Sequence, residues 1–120
     1  WTPADAERCL AVSGCTDLMI GRGLVTRPGL ARKIRSARAG HVPQPLPWCR
    51  VLPLLDEFYA GVQARMQPRH APGRLKLWLS YLRAAYPEAQ ALFARVRTET
   101  DAVRLAGVLA AERAVRVAVP

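Results

Sequence analysis

The 120-residue sequence has no apolar run approaching the roughly 20 residues that a membrane-spanning helix needs. It also lacks a signal peptide, because acidic residues closely follow the opening Trp1-Thr2-Pro3. There is no initiator methionine, and the length is too short for a complete eight-stranded barrel enzyme. We therefore expect a fragment of a longer protein that is not embedded in a membrane.

Metal-binding patterns are also missing. Cys9, Cys15 and Cys49 form no CxxC pair. His41 and His70 are far apart, so a zinc site is not expected. Three cysteines cannot all pair within one chain, which favours reduced thiols and a cytoplasmic setting. A buried structural role is expected for each cysteine.

Catalytic patterns are absent too. Asp56 and Glu57 are adjacent in a predicted helix and point in different directions, which does not suit a carboxylate pair. Ser80 has no histidine nearby, and no glycine-rich nucleotide loop occurs. No catalytic residue is therefore predicted.

What the sequence does contain is positive charge: 18 basic and 9 acidic residues give a net charge of +9. Such a balance favours a polyanionic partner such as nucleic acid. Sixteen of the basic residues are arginine and alanine is abundant, a bias that GC-rich coding alone would also produce. The positions of the arginines must decide between the two explanations.

The first 38 residues predict the order helix, strand, loop, helix. Thr2-Pro3 is a typical helix start and Ser13-Gly14 a typical stop. Residues 17–20 predict a short buried strand that enters the tight loop 21–23, and residues 26–38 predict a second helix. A lone strand needs partners from elsewhere, and its unpaired edges favour association with a second copy.

Residues 39–47 predict an extended linker, since three prolines fall within five residues. Residues 48–120 then predict helices only: 48–66, 74–86, one opening at Pro87, and a last one capped by Thr100-Asp101. The predicted fold class is mainly α, with a four-helix bundle after the linker. The residues predicted to face its core are Val51, Leu54, Leu55, Phe58, Val62, Leu75, Trp78, Leu79, Leu82, Ala89, Leu92, Phe93, Val96, Val103, Ala106, Leu109 and Ala110.

Two segments have the composition of anion-binding sites. Gly21 and Arg22 follow the predicted strand, where glycine lets the backbone approach a phosphate and arginine adds charge. The alternative is that the turn needs glycine for steric reasons alone.

The second segment is 74–83. Arg74 and Lys76 are expected on its more exposed surface, and Arg95 and Arg97 close the following helix. Together they suit the phosphates of a folded RNA, which is recognised largely by shape and backbone. The alternative is a solvated face with intramolecular ion pairs.

These segments resemble a known family. Residues 13–23, Ser-Gly-Cys-Thr-Asp-Leu-Met-Ile-Gly-Arg-Gly, resemble the last barrel strand and loop of tRNA-dihydrouridine synthases. Residues 74–83, Arg-Leu-Lys-Leu-Trp-Leu-Ser-Tyr-Leu-Arg, resemble the C branch of that family, which reduces uridine 16 in the D-loop. The similarity runs from about residue 1 to residue 110, with the two motifs about fifty residues apart.

The resemblance implies FMN as cofactor, NADPH as reductant, tRNA as partner, and reduction of the uracil C5–C6 double bond. It makes residues 1–38 the last βα unit of a truncated flavin-binding TIM barrel, 39–47 a linker, and 48–120 a helical tRNA-binding domain. By position, Gly21 and Arg22 correspond to the loop that holds the FMN phosphate. The basic positions that orient tRNA correspond to Arg74, Lys76 and Arg97.

The family's proton-donating cysteine and flavin-contacting lysine belong to earlier strands, and Cys9, Cys15 and Cys49 do not occupy that position. Residues 70–73 also replace a longer acidic approach to the second helix of the bundle. The fragment alone is therefore expected to be inactive and to bind FMN weakly or not at all. Two alternatives stay open: a freestanding helical RNA-binding module with no catalytic parent, and the tail of a small-molecule flavin barrel oxidoreductase.

Overall fold

The computed structural model describes residues 1–118, which contain seven α-helices and no β-strand. The predicted mainly-α class is confirmed. The chain folds into two compact units, Trp1–Leu46 and Pro47–Pro120. Residues 119 and 120, the last of the predicted helical domain, lie outside the described part. Unit 1 holds α1 (Pro3–Ser13), α2 (Arg22–Thr26) and α3 (Leu30–Arg38); unit 2 holds α4 (Trp48–Arg65), α5 (Ala71–Leu82), α6 (Pro87–Val96) and α7 (Ala102–Ala118).

Helix α1 begins and ends where the sequence predicts. The Thr2 hydroxyl accepts a hydrogen bond from the Asp5 amide at 3.1 Å, and the Asp5 carboxylate accepts one from the Thr2 amide at 3.0 Å. Gly14 has φ 69°, and its amide donates to the Leu10 carbonyl at 3.0 Å. Glycine suits this left-handed helix cap because it has no Cβ to clash.

The strand predicted at residues 17–20 is wrong for the described structure. This segment is irregular; Met19 is fully exposed, while Leu18 and Ile20 pack against the small core of Ala6, Leu30 and Ile34. A strand needs a neighbouring strand for its backbone hydrogen bonds, and the described part of unit 1 offers none.

The helix predicted over 26–38 is also corrected, because two helices stand in its place. Helix α2 ends at Thr26, Arg27 is extended (φ −131°, ψ 84°), and α3 begins at Leu30. Pro28 explains the break: a proline disfavours the helical conformation of the residue before it and lacks the amide of a continuous helix.

In unit 2, α5 runs antiparallel to α4 and to α6, and α7 runs antiparallel to α4. Between α4 and α5, Trp48 packs on Tyr86 with ring centroids 5.6 Å apart, and Phe58 meets Trp78 at 4.9 Å. Residues 83–86 join α5 to α6 as a tight helical hairpin. Helix α7 returns along α4, since the Tyr59 hydroxyl donates to the Ala102 carbonyl at 3.0 Å. The predicted four-helix arrangement is present, with α5 starting three residues early because Pro72 is accepted in a first helical turn.

The buried faces of α5 and α6 follow the sequence prediction except at Trp78 and Phe93, which are only half-buried. The buried faces of α4 and α7 are shifted. In α4, Leu54 and Phe58 are 39% and 37% exposed. In α7, Val103 is 77% exposed, whereas Glu112 is buried. Each of these helices has two overlapping sets of apolar residues with the 3.6-residue period. Periodicity alone therefore does not show which set faces the core. The α4 and α7 residues that line the core are Trp48, Val51, Leu52, Leu55, Tyr59, Ala102, Leu105 and Leu109.

The prediction of buried cysteines is wrong. Cys9, Cys15 and Cys49 are all exposed and unpaired. Cys9 lies on α1, where only Ala6 is buried, so most of that helix faces outward.

Candidate nucleic-acid interface

The predicted phosphate turn lies at the start of α2, with Gly21 as its cap and Arg22 as its first helical residue. Both residues are exposed. A Cβ added to Gly21 would meet nothing within 4 Å, whereas one on Gly23 would lie 2.8 Å from Cγ of Trp1. The steric explanation for glycine therefore applies to Gly23 and not to Gly21.

The turn is chemically suited to one side of a phosphate site. The first amides of a helix have no acceptor within it. In α2 the Leu24 amide donates to the Gly21 carbonyl at 3.1 Å, so the amides that could face an anion are those of Arg22 and Gly23. The Arg22 guanidinium forms no ion pair within residues 1–118. Two shallow depressions of unit 1, of about 580 and 400 Å³, are lined by residues of 3–20 and α3 instead. Gly21 and Arg22 therefore have the space and the charge that one side of a phosphate requires.

In unit 2, some basic residues are paired with carboxylates and others are not. It holds eleven basic and six acidic residues. Arg113 pairs with Asp56 at 3.1 Å, and Glu112 accepts from Arg95 at 2.8 Å and Arg116 at 3.3 Å. These three arginines each have an ion-pair partner within the fold, although they share only two carboxylates.

Two further carboxylates accept hydrogen bonds from backbone amides instead of pairing with arginines. The Glu99 carboxylate accepts hydrogen bonds from the amides of Thr100 and Asp101 at 3.0 and 2.9 Å. The Asp101 carboxylate accepts from the amides of Val103 and Arg104 at 3.0 and 2.9 Å and caps α7. Neither carboxylate forms an ion pair within the described residues.

One end of the bundle consequently carries unpaired cations. Because neighbouring helices are antiparallel, α4 and α6 end where α5 and α7 begin. The basic residues there form no ion pair among the described residues and are exposed, apart from the half-buried Lys76. We call this set the basic end: Arg65, Arg69, Arg74, Lys76, Arg97 and Arg104. The sequence prediction missed Arg65, Arg69 and Arg104, although their positions beside predicted helix ends were a usable signal.

The predicted RNA-binding residues divide between two flanks of α5. Arg74 and Lys76 are two residues apart and so point about 200° apart around the helix. Arg74 lies one turn before Trp78, which contacts Phe58 of α4. Arg74 is therefore on the α4 side.

Lys76 lies on the opposite flank, beside α6. It shares a helix row with Arg83, whose guanidinium lies 4.2 Å from the centroid of the Phe93 ring. Arg97 follows Phe93 by one turn on that side of α6. The fold groups Lys76 with Arg97 and sets Arg74 apart.

Comparison with known proteins identifies the class. Residues 1–114 match the family model "Dihydrouridine synthase (Dus)", and the chain belongs to this family. The expected resemblance is confirmed. Within residues 1–118 no helix is long and apolar enough to cross a membrane, and no three or more His, Cys, Asp or Glu residues gather as metal ligands.

The similar curated relatives are named tRNA-dihydrouridine(16) synthase. One from Aquipseudomonas alcaligenes is 51% identical over 110 residues, which are 92% of this chain and 35% of the relative. One from Pseudomonas putida is 50% identical over 112 residues, 93% of this chain and 35% of the relative. One from Escherichia coli O157:H7 is 34% identical over 111 residues, 92% of this chain and 34% of the relative. The chain spans about a third of the length of these relatives.

Proposed function

We propose that this chain is the C-terminal part of a flavin-dependent tRNA-dihydrouridine synthase that reduces a D-loop uridine, uridine 16, with NADPH. The family membership and the name shared by the relatives support the reaction. The observation that supports the role of this segment is the basic end, where six cations lie without ion-pair partners among the described residues. Three unpaired thiols fit the cytoplasm as the compartment.

In this proposal unit 1 is the last βα unit of a TIM barrel and contributes one wall of the FMN phosphate site. Gly21 would leave room for the phosphate, the amides of Arg22 and Gly23 would donate to it, and the Arg22 guanidinium would balance its charge. FMN, when bound, supplies the hydride for the uracil C5–C6 double bond. The proton donor and the flavin-ring contacts belong to the rest of the parent enzyme, so the 120-residue chain is expected to be inactive.

Flavin binding by the purified chain tests whether the remaining FMN contacts lie in the rest of the parent enzyme. A chain that contributes one wall of the phosphate site and none of the flavin-ring contacts should bind FMN weakly or not at all. Flavin fluorescence after gel filtration measures it, and FMN bound at one equivalent per chain would contradict the proposal.

Unit 2 is proposed to orient the tRNA. A folded RNA presents phosphates along its backbone at fixed spacing, and each cation that neutralises a phosphate releases counterions and strengthens binding. Lys76 and Arg97 contact the RNA along the α5–α6 flank, and Arg74 contacts it along the α4–α5 flank.

Charge reversal with a matched control tests the tRNA role. Lys76→Glu and Arg97→Glu are each expected to weaken binding of a tRNA transcript about tenfold, because a phosphate contact becomes a repulsion. Arg50→Glu is the control, because it changes the net charge by the same amount. Arg50 is exposed, lies at the other end of the bundle and forms no ion pair within residues 1–118. If the Arg50 variant loses as much affinity, the attraction is nonspecific and the proposed interface is wrong.

A further inference from the structure

Two aromatic rings meet at the surface between α4 and α5. Phe58 and Trp78 contact edge to face, with centroids 4.9 Å apart and ring planes at 78°. Phe58 is 37% exposed, and Leu54, one turn earlier on α4, is 39% exposed. We call Leu54, Phe58 and Trp78 the aromatic ledge. A helix buries such residues in its core face where it can, so their position outside the core calls for an explanation.

Two cations border the ledge at one end. Arg65 lies seven residues after Phe58, in the same row of α4, and Arg74 lies one turn before Trp78 on α5. Since α4 and α5 are antiparallel, later residues of α4 lie beside earlier residues of α5. Arg65 and Arg74 therefore lie at the same end of the ledge, and both are exposed.

At this end of the bundle the carboxylates of Glu99 and Asp101 accept hydrogen bonds from backbone amides rather than pairing with these cations. Asp56 is on the α7 side of α4, bound to Arg113 at 3.1 Å. Glu57 is exposed and lies three residues after Leu54, so it borders the ledge on α4, but it forms no ion pair with Arg65 or Arg74. Arg65 and Arg74 form no ion pair within residues 1–118. The surface thus combines aromatic area with two cations that form no ion pair among the described residues.

We propose that the aromatic ledge stacks an unpaired base of the bound RNA, while Arg65 and Arg74 hold the adjoining phosphates. This inference rests on the proposed tRNA role and adds a preference for unpaired nucleotides. Proteins that contact single-stranded RNA combine aromatic platforms for bases with cations for the backbone. Charge complementarity selects RNA over a protein partner, since unit 2 carries an excess of five positive charges.

A pair of RNA probes separates stacking from simple charge attraction. The purified chain is titrated with a labelled uridine oligonucleotide of about 12 nucleotides and with an RNA duplex of about 12 base pairs, and binding is followed by anisotropy. In a duplex both faces of each base are covered, so the ledge contributes only to the first probe. Phe58→Leu keeps an apolar side chain but removes the ring, and Phe58→Trp restores one.

The expected result is a selective loss. Phe58→Leu weakens oligouridine binding about fivefold or more and leaves duplex binding within about twofold, while Phe58→Trp binds both like the parent chain. Leu77→Ala, a change at a 50% exposed apolar residue on the outer side of α5, leaves both affinities unchanged. If Phe58→Leu weakens binding of both probes equally, or of neither, the proposed base stacking on the aromatic ledge is wrong.

The outcome also distinguishes the ledge from the broader tRNA role. If Lys76→Glu weakens tRNA binding but Phe58→Leu has no selective effect, the ledge alone is wrong. If the unsubstituted chain binds neither probe nor tRNA, the tRNA role fails and the ledge with it.

Discussion

The Tyr59 hydroxyl donates a buried hydrogen bond of 3.0 Å to the carbonyl oxygen of Ala102. This contact fastens the middle of α4 to the start of α7 and allows a tyrosine to lie in the core with its polar atom satisfied. It also fixes the position of the α7 cap beside the basic end.

Removing that hydroxyl is expected to destabilise unit 2. Tyr59→Phe should lower the free energy of unfolding by about 1 kcal/mol, because one buried hydrogen bond is lost. Tyr81→Phe is the comparison, since the Tyr81 hydroxyl is not hydrogen-bonded among the described residues. Urea unfolding measures both; equal effects would mean that the Tyr59 contact contributes nothing.

Tyr59 should also make the stability of unit 2 depend on pH in the alkaline range. Burial, and then the nearby charge of Asp101, raise the pKa of Tyr59 above its ordinary value of 10.0. Because the folded-state pKa is raised, its contribution is fully present below pH 10 and is lost as the pH rises through the folded-state value. The stability difference between the parent chain and Tyr59→Phe should therefore shrink as the pH rises above about 10. A constant difference would contradict this.

Glu112 provides a second test of the internal charge pairs. Its carboxylate is buried and bridges Arg95 and Arg116, so Glu112→Gln should cost about 1 kcal/mol of unfolding free energy. Both arginines are half-exposed, so the loss should shrink in high salt. Glu57→Gln, at an exposed residue outside any ion pair of the described part, should change stability by less than about 0.5 kcal/mol. Comparable losses would mean that the bridge is not stabilising.

The two glycines of the α2 turn should respond differently to alanine. Gly23→Ala forces the Trp1 ring, 2.8 Å from the new Cβ, to move, and should speed amide exchange in α3 about fivefold or more. Gly21→Ala meets open space and should leave exchange unchanged. If both variants behave alike, the steric distinction between the two glycines is wrong.

The sequence predicted the starts of α6 and α7 well because each combines a start signal with an apolar period, at Pro87 and at Asp101. The helix predicted over 74–86 lies at Ala71–Leu82 instead. It did not predict which face of α4 is buried. That choice depends on the Ala102 carbonyl, which lies 43 residues away in sequence and offers Tyr59 a partner. Long-range hydrogen bonds of this kind leave no local pattern.

The sequence also predicted only part of the candidate site. Arg74, Lys76 and Arg97 were proposed from the family resemblance and stay a prediction. Their division between flanks depends on how Trp78 and Arg83 pack against neighbouring helices. The strand at 17–20 was overpredicted because its apolar composition reports burial, whereas strand formation needs a partner strand.

The most direct test of the basic end is a pair of double-mutant cycles for tRNA affinity, built from Lys76→Ala, Arg97→Ala and Arg74→Ala and repeated over a range of salt. Each single substitution should reduce the salt slope by about one. Lys76 and Arg97 share a flank, so their losses should deviate from additivity by about 0.5 kcal/mol or more, whereas those of Arg74 and Arg97 should add. Unchanged slopes, or stronger coupling of Arg97 to Arg74 than to Lys76, would contradict the proposed arrangement of the RNA on this bundle.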